Sequence, residues 1–289
     1  MNPIATNGRL LRRLAYAGAR YGPGFWLRHT PPIFGVAFGA ALPDARAAVR
    51  RNLRLVHGER GVLAEGLDVA RTFADYARCL AEGLAMERPE ARRAQRRIRG
   101  EAHLNEALAL GRGVMLVTAH AGPWDAAAQL LALDLSAEVM VVMLPEPDEH
   151  ARRLHDRVRE RVGLRVAHVG DHPLDALPVL RHLRQAGVAA AQLDRLPGSA
   201  RSLEVSLFGT PFRVPRGPFV LAALAGAPLL PLFVCRAGHF DYEFTAAPAL
   251  HLPRRPSTEQ LTAAAQQAAQ EMEAFIRAHP TQWFHFGSA

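Results

Sequence analysis

The chain has 289 residues and a mass of 31.5 kDa, enough for one large α/β domain or two small ones, and no Pro/Gly/Ser-rich linker divides it. Its formal net charge is +8, carried on arginine with no lysine, which favours anionic partners such as a membrane surface, an acidic protein or a phosphorylated lipid. Zinc-finger spacing and RNA-binding signatures are absent, so nucleic acid is not expected, and Cys79 and Cys235 form no CxxC pair, which fits free thiols in a reducing compartment.

From Met1 to Arg13 there is no apolar core or small-residue cleavage site of a signal peptide. Tyr16, Tyr21, Phe25, Trp26, Ile33, Phe34 and Phe38 then alternate with Arg12, Arg13, Arg20 and Arg28. Aromatic and basic residues together suit the headgroup region of a bilayer, so residues 1–43 are expected to be an interfacial segment. The uncharged run Thr30 to Pro43 falls short of the roughly 20 apolar residues that a span requires. A helix packed on the domain is the other reading of the same residues.

Residues 44–289 read as one domain, helical to about Gly100 and α/β beyond it. Ala45 to Val56 and Leu63 to Met86 have helical spacing, and the arginine-dense Arg88 to Arg99 reads as a solvated connection. Helix His103 to Leu110, strand Val114 to Thr118, helix Trp124 to Leu133 and strand Val139 to Leu144 follow. Pro145-Glu146-Pro147 leads into a charged helix, Asp148 to Val162. Strand Leu164 to Val169, helix Pro173 to Gln185, strand Val188 to Leu193 and strand Leu203 to Phe208 come next. Gly209-Thr210-Pro211 reads as a turn. The uncharged run from Gly217 to Cys235 is broken at Gly226-Ala227-Pro228, which predicts a buried helix to Ala225 and a strand from Leu229. Strand Tyr242 to Ala246 and helix Thr258 to His279 close the series. This alternation predicts an α/β fold with a mostly parallel central sheet flanked by helices, with ligands at the carboxyl ends of strands.

The block His120-Ala121-Gly122-Pro123-Trp124-Asp125 stands at one such end. A histidine there, with a carboxylate about one helical turn on, suits a general base, because a carboxylate on one ring nitrogen fixes the tautomer and raises the basicity of the other. A bare His-x4-Asp is also what a loop histidine and a helix-start carboxylate produce. Asp194-Arg195 stands at a second strand end and Arg216 opens an apolar helix. The histidines at 150, 155, 168 and 172, with Asp171, have no HExxH context, and neither a metal nor a cofactor is expected.

Taken in order, His120 to Asp125, Asp194-Arg195, Leu207-Phe208-Gly209-Thr210-Pro211, Gly217 to Pro228 and Pro231 to Arg236 resemble the bacterial lipid A biosynthesis acyltransferases of the lysophospholipid acyltransferase superfamily. Arg51-Asn52-Leu53, the Phe73…Glu82 helix and Gln282-Trp283-Phe284-His285 extend the resemblance from about residue 45 onward. Pro123 replaces the family's usual Asn, and Asp125 stands where many lipid A enzymes have Glu; Asp there, with Asp-Arg in the second block, is similar to the phosphatidylinositol mannoside acyltransferases. The long N-terminal membrane helix expected of the family is reduced, which implies peripheral attachment at the cytoplasmic face of the bacterial inner membrane.

The resemblance implies an O-acyltransferase. Its substrates would be an acyl thioester, carried on acyl carrier protein or coenzyme A, and a hydroxyl of a membrane glycolipid of lipid A type, with a phosphatidylinositol mannoside or other lysolipid as the alternative. His120 would be the base and Asp125 its orienting partner. Arg159, which with Gly163 matches the family's Arg-x3-Gly pattern, would contact phosphate or carry oxyanion charge; on residue type alone it is one arginine of a charged helix. Asp194 would bind a sugar hydroxyl or pair with an arginine, and Arg195 and Arg216 would hold phosphate. Two other classes fit the same residues: an acyl thioesterase, with His120 activating water, and a non-catalytic lipid-binding protein, against which the presence of both His120 and Asp125 argues.

Overall fold

The computed structural model describes residues 9–135, 138–144, 152, 156, 159–160, 163–170, 172–196 and 201–287, the side chains of 9–14, 134 and 173 excepted. It opens with five helices, α1 (Arg9–Tyr21), α2 (Gly24–His29), α3 (Pro31–Ala41), α4 (Pro43–His57) and α5 (Val62–Leu84). Strands and helices then alternate: β1 (Gln95–Arg99), α6 (Glu101–Ala109), β2 (Val114–Thr118), α7 (Trp124–Asp134), β3 (Val139–Met143), β4 (Leu164–His168), α8 (Leu177–Arg184) and β5 (Val188–Gln192). A hairpin of β6 (Ser202–Leu207) and β7 (Thr210–Pro215) precedes α9 (Gly217–Ala225), β8 (Leu229–Gly238), β9 (Asp241–Ala246) and α10 (Thr258–Ala278).

Among the described residues seven strands form one sheet in the order β1-β9-β8-β2-β5-β3-β4, and only β8 and β9 within it are antiparallel. The fold is therefore α/β with a mostly parallel sheet, as the alternation predicts. Strand β2 shows why. Its residues are apolar on both faces, and side chains alternate across a strand. Met115 and Val117 enter the core shared with Val179 and Leu183 of α8, Phe219 and Ala222 of α9, and Met272 and Ile276 of α10. Val114 and Leu116 enter the opposite core, with Leu104 of α6 and Ala126 and Leu130 of α7.

The N-terminal helices form a further layer. Helices α4 and α5 join through Ala45, Val49, Leu53, Val69 and Phe73. Helix α3 lies on α5 through a face of small residues: a side chain at Gly35 would strike the Phe73 backbone, and one at Gly39 would strike the Phe73 ring. Ile33, Phe34, Val36 and Phe38 of α3 remain exposed, as do Phe25 and Trp26 of α2. The region is thus a helix layer packed on the domain through its small-residue face, with apolar side chains on its outer face. Arg20 turns inward to Tyr16 and Glu87, while Arg28 is exposed. No described helix is long and apolar enough to cross a membrane.

Three local expectations are corrected. The second half of Arg88 to Arg99 is not a connection but β1, an edge strand whose arginines face solvent, a placement that charged side chains favour because they discourage further strand pairing. The turn at Gly209 is flanked by β7, which begins at Thr210 and runs to Pro215 against β6. The stretch Pro173 to Gln185 divides into a 3-10 turn, Pro173–Ala176, and α8, because Pro178 sits in the first turn of the α-helix. Pro145-Glu146-Pro147, His150, His155, Asp171, Pro197-Gly198 and most of Asp148 to Val162 lie outside the described residues; Arg152, Asp156, Arg159 and Glu160 of that stretch are helical.

Candidate active site

Strands β2 and β5 pair in parallel with Thr118 opposite Gln192. His120 and Asp194 each stand two residues beyond that last pair, so the register brings them side by side. Leu193 continues the ladder, its N–H donating to the Thr118 carbonyl at 2.8 Å. The Asp194 carboxylate accepts from the His120 backbone N–H at 3.0 and 3.1 Å, and its Oδ1 lies 2.8 Å from His120 Nδ1. Asp194 is 1% exposed, whereas the His120 side chain keeps 17% of its surface open.

The loop after His120 bends sharply because Gly122 has φ +57° and passes so close to the Val234 carbonyl that no side chain fits there. The segment after α10 then closes over the loop. Gly122 N–H donates to the Gln282 carbonyl at 2.8 Å, and Phe284 N–H donates to the His120 carbonyl at 2.7 Å. Between them Ala121 and Trp283 form an antiparallel bridge, and Trp283 Nε1 donates to Asp194 Oδ2 at 3.0 Å.

Burial works to raise the Asp194 pKa, but the charge and hydrogen bond of His120, with His285 and Arg195, outweigh it and hold the carboxyl well below its usual range. Burial lowers the His120 pKa, and the opposing pull of Asp194 does not restore it. At neutral pH the pair is accordingly an ionised Asp194 and a neutral His120. An ionised carboxylate only accepts, so Nδ1 carries the proton and Nε2 presents its lone pair. The arrangement is that of a general base with its tautomer set.

The orienting place expected of Asp125 is thus taken by Asp194. Asp125 sits in the first turn of α7, where a negative charge is favoured by the helix dipole, and its Oδ1 accepts from Arg159 Nε at 3.1 Å. Arg159 is 8% exposed and reaches this carboxylate from the helical residues after β3. Asp194, expected to meet a sugar hydroxyl or an arginine, is buried and bonded to His120 and Trp283. Arg195 is exposed and donates to the Phe284 carbonyl at 2.7 Å. Arg216 occupies the N-cap position of α9, its backbone N–H donating to the Arg201 carbonyl and its buried Nε without a hydrogen-bond partner among the described residues. The structure shows no contact between Arg216 and the His120–Asp194 pair among the described residues.

Trp283 and Glu82 stand in blocks that carry the resemblance, but the sequence gives neither a role: an indole needs a partner when buried, and nothing in the sequence names it. Glu82, buried at the end of α5, accepts from Arg236 Nε and Tyr242 Oη at 2.8 Å each and ties α5 to β8 and β9. Its neighbour Gly83 packs beside Asp125 at the start of α7. Among the described residues no cluster of His, Cys, Asp and Glu is arranged to hold a metal ion.

The chain matches the model of a family described as bacterial lipid A biosynthesis acyltransferase over residues 14–288. It is 30% identical over 240 residues to a phosphatidylinositol mannoside acyltransferase of Mycobacterium tuberculosis (strain ATCC 25618 / H37Rv), covering 81% of this chain and 74% of that protein. A phosphatidylinositol mannoside acyltransferase of Mycolicibacterium smegmatis is 26% identical over 254 residues, covering 87% of this chain and 82% of the other.

Proposed function

Because the chain belongs to the bacterial lipid A biosynthesis acyltransferase family and is an acyltransferase, we propose that it moves a fatty acyl chain from an acyl thioester to a hydroxyl of a mannosylated phosphoinositide. The observation that carries the chemistry is the 2.8 Å pairing of His120 Nδ1 with buried Asp194, which leaves Nε2 as the base. The acceptor is inferred from the names of the relatives and from Asp125 and Asp194-Arg195, which match that subfamily better than the lipid A enzymes.

In this reading Nε2 takes the proton of the acceptor hydroxyl as its oxygen attacks the thioester carbonyl. Asp194 stabilises the imidazolium that forms. The tetrahedral oxyanion collapses, the C–S bond breaks, and the thiolate leaves with the proton that Nε2 returns. Arg159, held by Asp125, supplies positive charge for the oxyanion, and the remaining N–H groups of Arg195 and Arg216 serve phosphate. No serine or cysteine nucleophile is required.

The acceptor lies in a membrane, and the exposed Phe25, Trp26, Ile33, Phe34 and Phe38 beside Arg28 form the surface that meets it, on the cytoplasmic side where acyl thioesters are made. The donor is anionic on either carrier, and the net charge of +8 steers it; the family resemblance favours acyl carrier protein. The test incubates the purified chain with palmitoyl-carrier protein or palmitoyl-coenzyme A and vesicles holding a phosphatidylinositol mannoside or a lipid A precursor. Mass spectrometry is expected to find the acylated mannoside. Acylation of the lipid A precursor alone overturns the acceptor, and release of free palmitate alone makes the chain a thioesterase.

A further inference from the structure

Asp194 is shared by two rings. Its Oδ1 faces His120 Nδ1, and its Oδ2 receives Trp283 Nε1 at 3.0 Å, the indole being 4% exposed. A carboxylate can swing about its Cβ–Cγ bond; the His120 backbone N–H, shared by both oxygens, and the indole N–H on Oδ2 together oppose that rotation. The indole N–H also draws negative charge away from the oxygen that faces His120. Trp283 is itself held by the backbone of the loop it serves: Gln282 and Phe284 on either side bond to Gly122 and His120. His285 completes the segment, its carbonyl accepting from buried Asn52 of α4 at 2.7 Å.

Resting on the acyl-transfer reading above, we propose that Trp283 is a positioning residue for the base: its indole N–H fixes Asp194 and moderates the pull of that carboxylate on His120. Residues 282–285 are then part of the catalytic loop's geometry rather than a cover on the core. The charged and titratable groups that face His120 are Asp194 and Arg195 beyond β5 and His285 beyond α10, and α7 contributes the ring of Trp124. None of them is altered in the test.

Two variants separate the N–H from the bulk of the ring. Trp283→Phe keeps an aromatic ring and removes the donor. Trp283→His loses the benzo ring, yet its Nε2 overlies the indole Nε1, because both belong to a five-membered ring on the same Cγ. The readout is the titration of His120 followed by NMR on 15N-histidine-labelled full-length protein, which requires no substrate and so does not depend on the reaction assigned. In Trp283→Phe the His120 midpoint is expected to rise by about half a pH unit, since a carboxylate with one donor fewer is more basic. With palmitoyl-coenzyme A and phosphatidylinositol mannoside vesicles, kcat is expected to fall about tenfold with KM little changed, and Trp283→His to stay near wild type in both measurements.

An unmoved His120 midpoint in folded Trp283→Phe overturns the proposal, as does a Trp283→His variant that departs from wild type as far as Trp283→Phe. Should Trp283→Phe not fold, the unaltered chain decides. The Trp283 indole N–H resonance is expected to shift with the His120 midpoint, and a resonance indifferent to His120 protonation overturns the role. A wild-type chain without transfer activity but with this coupled titration would refute the acyl-transfer reading and leave the coupling standing.

Discussion

Asp194 and Glu82 are built alike and do different things. Each is a buried carboxylate that faces a histidine ring nitrogen and accepts from an aromatic side chain: His120 and Trp283 at Asp194, His239 and Tyr242 at Glu82. What separates them is Arg236, whose Nε lies 2.8 Å from Glu82 and supplies a permanent positive charge. Among the described residues Asp194 has no such cation bonded to it, and the neighbouring Arg195 is turned to the Phe284 carbonyl. Glu82 is neutralised and acts as a tie between α5 and the β8–β9 pair. Asp194 feels Arg195 only at a distance, and the imidazolium formed when His120 takes a proton is the cation that bonds to it directly. A buried carboxylate is structural when its charge is already balanced, and serves catalysis when the reaction provides the balance.

Removing the base breaks the comparison most severely. His120→Ala is expected to lower acyl transfer on the order of 10²–10⁴-fold with the fold intact, checked by thiol release and circular dichroism. Asp194→Asn should follow at about a hundredfold or more in kcat, because the neutral amide neither selects the Nδ1–H tautomer nor stabilises the imidazolium. At the balanced site the loss is of stability instead. Glu82→Ala leaves Arg236 unpaired and is expected to cost about 3 kcal/mol in denaturant unfolding, while the folded fraction keeps the wild-type pH profile. Asp125→Asn weakens only the hold on Arg159, and a loss of about tenfold is expected, well short of Asp194→Asn. Equal losses in the two Asp variants would return Asp125 to the role that His-x4-Asp spacing suggests.

The smallest effect is that of pH on the wild type. His120 has its pKa lowered from 6.5, so the acid limb of kcat/KM should lie below pH 6.5. Both His120 and Asp194 bind protons less readily in the folded chain than in the unfolded one. Stability should therefore fall as pH drops, first between 6.5 and the folded His120 value, then again below 3.8 as the unfolded state takes up protons that Asp194 refuses. Thermal melts across this range would show two steps, and Asp194→Asn should lack the lower one.

Much of this protein was legible in its residues. The apolar runs at Val114, Val139, Val188 and Leu229, separated by amphipathic or small-residue helices, determine a mostly parallel sheet, because strands apolar on both faces must be covered on both. The turn at Gly122 and the strand before it place His120 at a carboxyl end. Charge masked β1, whose arginines read as a loop until the sheet edge gave them solvent on both sides, and the proline-bounded β7 read as a turn. The choice between two carboxylates belonged to tertiary structure alone. Asp125 is five residues from His120, but helical geometry aims it at Arg159; Asp194 is 74 residues away and arrives through the pairing of β2 with β5. Local spacing fixes where a side chain starts, whereas strand register, a sum of many weak contacts across the sheet, decides which side chains meet.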